Sequence, residues 1–260
     1  MQNIEKRYLS LLLRSYVLVD LVYGWRARIG LIVPSSNTTM EPEFWGMAPE
    51  GVSIHTSRVR LSEVTPEALR RMASEVVRAA EELTTAEVNV VVYGCTSGSL
   101  LEGVEWEEGL RREIRERAGV EAITTAQAVV EALRALDVRR VAVATPYIDE
   151  VNAREKSFLE RRGFSVVRIR GLGIVRNTDI GRQPPWIAYR LAKEVAKEAG
   201  SSIDGVFISC TNFRTIEVIE PLESELQLPV ISSNTASMWL ALRTAGIRDR
   251  LDYGRLFKEH

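Results

Sequence analysis

From residue 28 to residue 247 the chain alternates short apolar runs with longer amphipathic stretches, and no other feature limits its folding so tightly. "RIGLIVP" (28–34) is short, apolar and ended by proline, which predicts a buried strand. "SSNTTMEPEFWGMA" then reads as a loop leading into a helix, and "VSIHTSRVRL" (52–61) as a second strand. "TPEALRRMASEVVRAAEELTTA" (65–86) is an amphipathic helix, with Thr65 placed to cap it and Pro66 suited to its first turn. "VNVVVYG" (88–94) is a strand. "EWEEGLRREIRERAG" (105–119) is a helix stopped by Gly119. A short strand (120–126) and a helix (126–138) close the series, which then starts again. Strands are expected at 139–147, 165–173, 204–210 and 228–234, and helices at 148–164, 183–202, 215–227 and 235–247. Such alternation predicts an α/β protein with parallel sheets and helices on both faces.

The two series also match residue by residue. "VVVYGCTSGSLLE" aligns with "GVFISCTNFRTIE", and "AITTAQAVVEALRALDV" with "VISSNTASMWLALRTAGI". "RIGLIVPSSN" aligns less closely with "RVAVATPYID". An internal duplication accounts for these matches, above all for the Cys-Thr pair that ends one strand of each half. The expected division is an N-terminal helical extension (1–27), a first lobe (28–137) and a second lobe (138–234), with 235–260 a candidate to cross back to the first. Within the extension, "YLSLLLRSYVLVDLVYGW" (8–25) is broken by Arg14 and Asp20 and is too short for a membrane span. No cleavage motif follows it, so it reads as an amphipathic helix packing on the body or on a partner subunit, or as a start-site artefact.

Composition narrows the function. With 34 basic and 35 acidic residues the net charge is −1, and no block of one sign suggests a nucleic-acid partner. Two cysteines and two histidines, without C-x-x-C or H-E-x-x-H spacing, give no dedicated metal site. A disulfide between the cysteines is one reading. Against it, nothing marks the chain as secreted, and thiols of a cytoplasmic protein stay reduced.

Cys95 and Cys210 each stand where a strand of a parallel sheet ends, the place where α/β folds bind ligands. If the halves face one another, the two sulfurs approach one site from opposite sides. A helix N-terminus beside a cysteine lowers its pKa and favours the reactive thiolate. Thr96, Ser97 and Ser99 surround Cys95, and Thr211 and Asn212 follow Cys210. Their hydroxyls and N–H groups suit a carboxylate. The alternative for each is an ordinary buried, inert thiol. The loop "PSSNTTME" (34–41), with Ser36 and Asn37, is either a helix cap or a carboxylate clamp. It is not a P-loop. Tyr147, at the matching point of the second half, is either packed or turned into the site. "GLGIVRNTDIG" (171–181) is a glycine-rich loop with only a weak echo of a dinucleotide fingerprint. His55 and His260 adjoin neither cysteine, so no Cys–His dyad is suggested.

Taken together, "IGLIVPSSNTTMEPE", "VVYGCTSGS", "ATPY", "VRNTDIG" and "SCTNFRTIEVIEPLESELQLPVISSN" resemble the maleate cis-trans isomerase and arylmalonate decarboxylase family, within the aspartate/glutamate/hydantoin racemase superfamily. The resemblance runs over about residues 28 to 250. It implies two pseudo-symmetric Rossmann-like (flavodoxin-like) lobes with the active site between them and no metal or organic cofactor. It also implies a cytoplasmic homodimer acting on a small dicarboxylate. By the same resemblance Cys95 would be the nucleophile and Cys210 the acid/base partner. Asn37, Tyr147 and Asn177 would hold the carboxylates, with Ser36, Thr96, Ser97, Thr211 and Asn212 around them. Arylmalonate decarboxylases resemble this chain but carry glycine for the first cysteine, so the presence of Cys95 favours isomerase chemistry. Racemase or decarboxylase activity on the same scaffold is the alternative, and a non-catalytic carboxylate-binding protein a remoter one.

Overall fold

The computed structural model describes residues 22–260, so most of the expected N-terminal helix lies outside the described residues. Among the described residues, eight strands form two four-stranded sheets. In the first, β1 (Ala27–Pro34), β2 (Val52–Val59), β3 (Val90–Tyr93) and β4 (Glu121–Thr124) lie in the order β2-β1-β3-β4. In the second, β5 (Arg140–Thr145), β6 (Ser165–Gly171), β7 (Gly205–Ile208) and β8 (Val230–Ser232) repeat that order as β6-β5-β7-β8. Every pairing is parallel. The identical order is what the sequence repeat predicts. β3 and β7 are buried at all four positions, which is why they read as unbroken apolar runs.

Register carries the repeat to the site. Tyr93 pairs with Ile32 and Thr124, and Ile208 with Ala144 and Ser232, so three neighbouring strands end level in each sheet. The loops beyond those ends hold Ser36, Asn37 and Cys95 in one lobe and Tyr147 and Cys210 in the other. β4 and β8 then turn directly into the helices Thr125–Ala135 and Ser233–Thr244. The Thr124 side chain accepts from Gln127 N, and Ser232 forms a reciprocal capping box with Thr235. These two repeat-related helices pack on each other, and Ser233–Thr244 also reaches β3, β4 and the helix Met40–Met47 of the first half. Both apolar clusters of the core draw residues from both sheets, so the halves share their interior.

Several predicted elements differ. The helix expected over 65–86 is two, Pro66–Ala73 and Val76–Thr84. Ser74 Oγ turns back to donate to Arg71 O, and Glu75 N bonds Met72 O three residues back, tightening the backbone there. Thr65 and Pro66 do start the first piece, and Gly119 ends the helix Val104–Ala118 at φ +68°. Short helices also lie at Thr96–Leu100, Asn177–Gly181 and Arg255–Glu259, of which only the first, a helix start beside Cys95, was expected. The second of these lies in the supposed glycine-rich loop. Among the described residues no helix is long and apolar enough to cross a membrane.

Candidate active site

Cys95 is the N-cap of the helix Thr96–Leu100, in extended conformation, and its sulfur accepts from Gly98 N at 3.4 Å. Ser97 Oγ lies 3.9 Å from the same sulfur. Cys210 has a different backbone. Its φ of +94° lies in the region that side-chain-bearing residues avoid. Its N–H donates to Ser233 Oγ at 3.0 Å, and its sulfur accepts from Asn212 N at 3.4 Å. The Tyr147 hydroxyl also lies against this sulfur. Both thiols are free.

The two cysteine loops interlock. Thr96 Oγ1 donates to Ser233 Oγ at 2.8 Å, the same oxygen that receives Cys210 N–H. Thr211 Oγ1 donates to Gly94 O at 3.2 Å and receives Asn37 Nδ2 at 3.1 Å. Asn212 Oδ1 receives Thr38 N at 2.8 Å, and its Nδ2 donates to Asn177 O at 2.7 Å. Asn177 Nδ2 donates to Ser36 Oγ, which bonds Leu61 O. All the candidates therefore converge where the lobes meet. Apart from half-buried Ser36, none is more than 5% exposed. Their surroundings are hydroxyls and amides.

The hydrogen bonds divide the candidates by what each has left to offer. Asn37 Oδ1 caps the following helix by accepting from Thr39 N and Met40 N, so its cap and clamp readings compete for one amide. Asn212 spends both ends of its amide on bracing the lobes. By contrast, the N–H groups of Thr96, Ser97 and Thr211 donate to no other group among the described residues. These point to where an anion would sit. A strap from the second lobe covers the cleft: Val64 N donates to Val175 O at 2.9 Å and Asn177 N to Ser62 O at 3.0 Å.

The expectation that a helix N-terminus lowers the thiol pKa is not met in this closed form. Burial pushes Cys95 up to about 11 against the pull of Gly98 N–H, Ser97 and Tyr93. Burial pushes Cys210 up to about 12. Desolvation outweighs a helix of only five residues. Both sulfurs are thiols at neutral pH while the cleft is shut.

Sequence reasoning missed three participants. Ser233 joins the two cysteine loops. Its signal was present, since it aligns with Thr125 in the "ISSN"/"ITTA" repeat, but nothing in that pattern says what it touches. Glu43 is buried and holds the Cys210 loop from the other lobe. Its Oε1 accepts Thr215 N at 2.7 Å, and its Oε2 accepts Asn234 Nδ2 at 2.5 Å. Tyr93 is fully buried beside Cys95, where a Cβ on Gly98 would overlap its hydroxyl and press on the Cys95 sulfur.

Fold and site define a two-lobed parallel α/β protein with a cysteine at the equivalent strand end of each lobe. The family model for arylmalonate decarboxylase matches residues 29–257, and the chain belongs to that family. It is 35% identical to an arylmalonate decarboxylase from Bordetella bronchiseptica over 89% of this chain and 96% of that one. To a maleate isomerase from Nocardia farcinica it is 32% identical over 84% and 89%. A structure of the Nocardia farcinica maleate cis-trans isomerase, a cysteine-to-serine mutant with a covalently bound succinylcysteine intermediate, superposes with a TM-score of 0.85 at 29% identity. That match covers 90% of this chain and 99% of the other. These relatives are enzymes, and the two-lobed fold is theirs.

Proposed function

We propose that the protein is a cofactor-independent cis-trans isomerase of maleate or a closely related small dicarboxylate, working by covalent cysteine catalysis. The observation that carries this reading is the pair of thiols at repeat-related strand ends, tied together through Ser233 beside the unspent N–H groups of Thr96, Ser97 and Thr211. The cysteine-bound intermediate of the Nocardia relative supports it.

In this mechanism Cys95 gives up its proton to solvent water as the substrate enters, and its thiolate adds to one alkene carbon. The carbon–sulfur bond forms as the π pair moves onto the other carbon and its carboxylate. Cys210 supplies a proton to that carbon. The central bond, now single, rotates. Cys210 takes a proton back, the π bond re-forms, and the Cys95 thiolate leaves and regains its proton from water. Nothing is gained or lost overall, and fumarate is released. The free N–H groups, with Tyr147, Asn37 and Asn177, hold the carboxylates through neutral donors, and Ser36 orients the Asn177 amide. The strap at 172–177 lifts to admit the substrate. The homodimer expected from the resemblance belongs to the same proposal and is read by sedimentation.

Proton NMR of the purified protein with maleate tests the reading: fumarate should appear, and should not with Cys95→Ser or Cys210→Ser. The higher identity to arylmalonate decarboxylase favours a second reading, decarboxylation or racemisation at a carbon α to a carboxylate. The same spectra with arylmalonates, aspartate and hydantoins would show it as product or as proton exchange without alkene isomerisation. Binding without turnover, unaffected by either serine substitution, would leave only a carboxylate-binding protein.

A further inference from the structure

"RIGLIVPSSNTTMEPE" (28–43) and "RVAVATPYIDEVNARE" (140–155) align without a gap, which makes Glu43 and Glu155 equivalent. Both are buried, yet they are used differently. Glu43 is saturated by donors from the opposite lobe. Glu155 stays within its own lobe, on the inward stripe of the helix Asp149–Arg161 that also carries Val151, Asn152, Phe158 and Leu159. One turn before it, Asn152 accepts from Thr145 Oγ1 at 2.5 Å and donates to Tyr147 O at 3.4 Å, so this face lies against the end of β5. Glu155 Oε1 accepts from Ser209 Oγ at 2.6 Å, on the residue directly before Cys210. Its Oε2 is buried without a partner.

We infer that the Glu155 carboxyl makes the two cysteines chemically inequivalent: lying against Ser209 at the end of β7, it disfavours a thiolate at Cys210 and leaves Cys95 as the sulfur that gives up its proton. Glu155 is thus a positioning residue, acting on where the proton sits. The ionisable groups facing Cys210 are Tyr147, Cys95 and Glu155, and none is a cation. Burial dominates at both sulfurs. Beyond it, the neighbours of Cys95 all favour its thiolate, whereas at Cys210 the pull of the Tyr147 hydroxyl and the Asn212 N–H is opposed by Cys95 and Glu155. No cation offsets Glu155: the arginines of the adjoining strand β6, Arg168 and Arg170, pair with Glu198 and Glu194 on the helix Pro185–Ala199. Without Glu155 the internal repeat would leave two sulfurs of more equal proton affinity, and the order of addition and protonation would be less defined.

The inference rests on the reading of Cys95 and Cys210 as the reacting pair, but its test needs no turnover. Iodoacetamide alkylation of the full chain is followed against pH, with each cysteine resolved by peptide mass spectrometry. In Glu155→Gln, Cys210 should react up to about tenfold faster near pH 9, its pH midpoint falling by up to about one unit, while Cys95 changes little. Glu155→Leu removes the charge without needing a hydrogen-bond partner, and should shift Cys210 the same way. A merely structural role would speed both cysteines together, without a pH shift. That result, or an unmoved Cys210 in both variants, overturns the inference. A shifted Cys210 without any conversion of maleate would sink the isomerase reading alone, and conversion with an unmoved Cys210 would sink this inference alone.

Discussion

The main-chain N–H of Cys210 donates to the hydroxyl of Ser233 at 3.0 Å, although the two residues lie on different segments. That bond helps hold a cysteine at φ +94°, and the Ser233 oxygen also receives the Thr96 hydroxyl from the other lobe. One serine thereby fixes the relative position of the two thiol loops.

Ser233→Ala should therefore damage the site more than the fold. It orphans a buried N–H and a buried hydroxyl, each costing about 1–3 kcal/mol when left unpaired. Turnover should fall at least about tenfold. The melting temperature should drop by about 2–4 °C for each kcal/mol lost. A variant with wild-type turnover would show that Ser233 does not position the cysteines.

Backbone strain at Cys210 makes a paired prediction. Both Cys210→Ala and Cys210→Gly remove the thiol, but only glycine relieves φ +94°. The glycine variant should be the more stable by about 1 kcal/mol, by denaturant midpoint. Equal or reversed midpoints would mean that no strain is stored there.

Gly98 should be intolerant of a side chain for a local reason. A Cβ there would overlap the buried Tyr93 hydroxyl and come within 3.0 Å of the Cys95 sulfur. Gly98→Ala should cost about 1–3 kcal/mol and displace Cys95. The check is the rate of Cys95 alkylation together with thermal melting. An unchanged rate and melt would contradict the packing described here.

Stability should fall as pH rises toward neutrality. Burial pushes the Glu43 and Glu155 carboxyls up to about 7, from 4.5 when unperturbed. Between those values the folded chain holds more protons than the unfolded one, so raising the pH favours unfolding. The stability is present in full below the lower value and lost through the upper one. Each group contributes up to about 3 kcal/mol by this linkage. Denaturant midpoints across this window should decline with pH, and Glu155→Gln should flatten the decline. A wild-type profile that rises across the window would contradict the burial of these carboxyls as free acids.

Much of this was legible in the residues, because parallel strands buried on both faces leave unbroken apolar runs such as "VVVY" (90–93). The repeat showed that Cys95 and Cys210 are equivalent, and a strand order common to both sheets is what a duplication produces. Which partners they meet was not legible, since contacts such as Asn37 with Thr211 join residues far apart in the chain. Nor were Glu43 and Glu155, because glutamate is almost never fully buried and both sit in segments that read as loop or charged helix. The thiol environment was misjudged for a related reason. Neighbouring hydroxyls and helix starts can be read from sequence, but the loss of water around a sulfur depends on the closed interface of two lobes.

The most direct test of the account is peptide mass spectrometry of Cys210→Ser after incubation with maleate. With Cys210 no longer there to take a proton back, the adduct, protonated slowly by water, should persist, and Cys95 should carry an added mass equal to one whole dicarboxylic acid, since addition across a double bond loses no atoms. Cys95→Ser should carry none. Conversion of maleate to fumarate by the intact protein, with no adduct ever found on Cys95, would contradict the account.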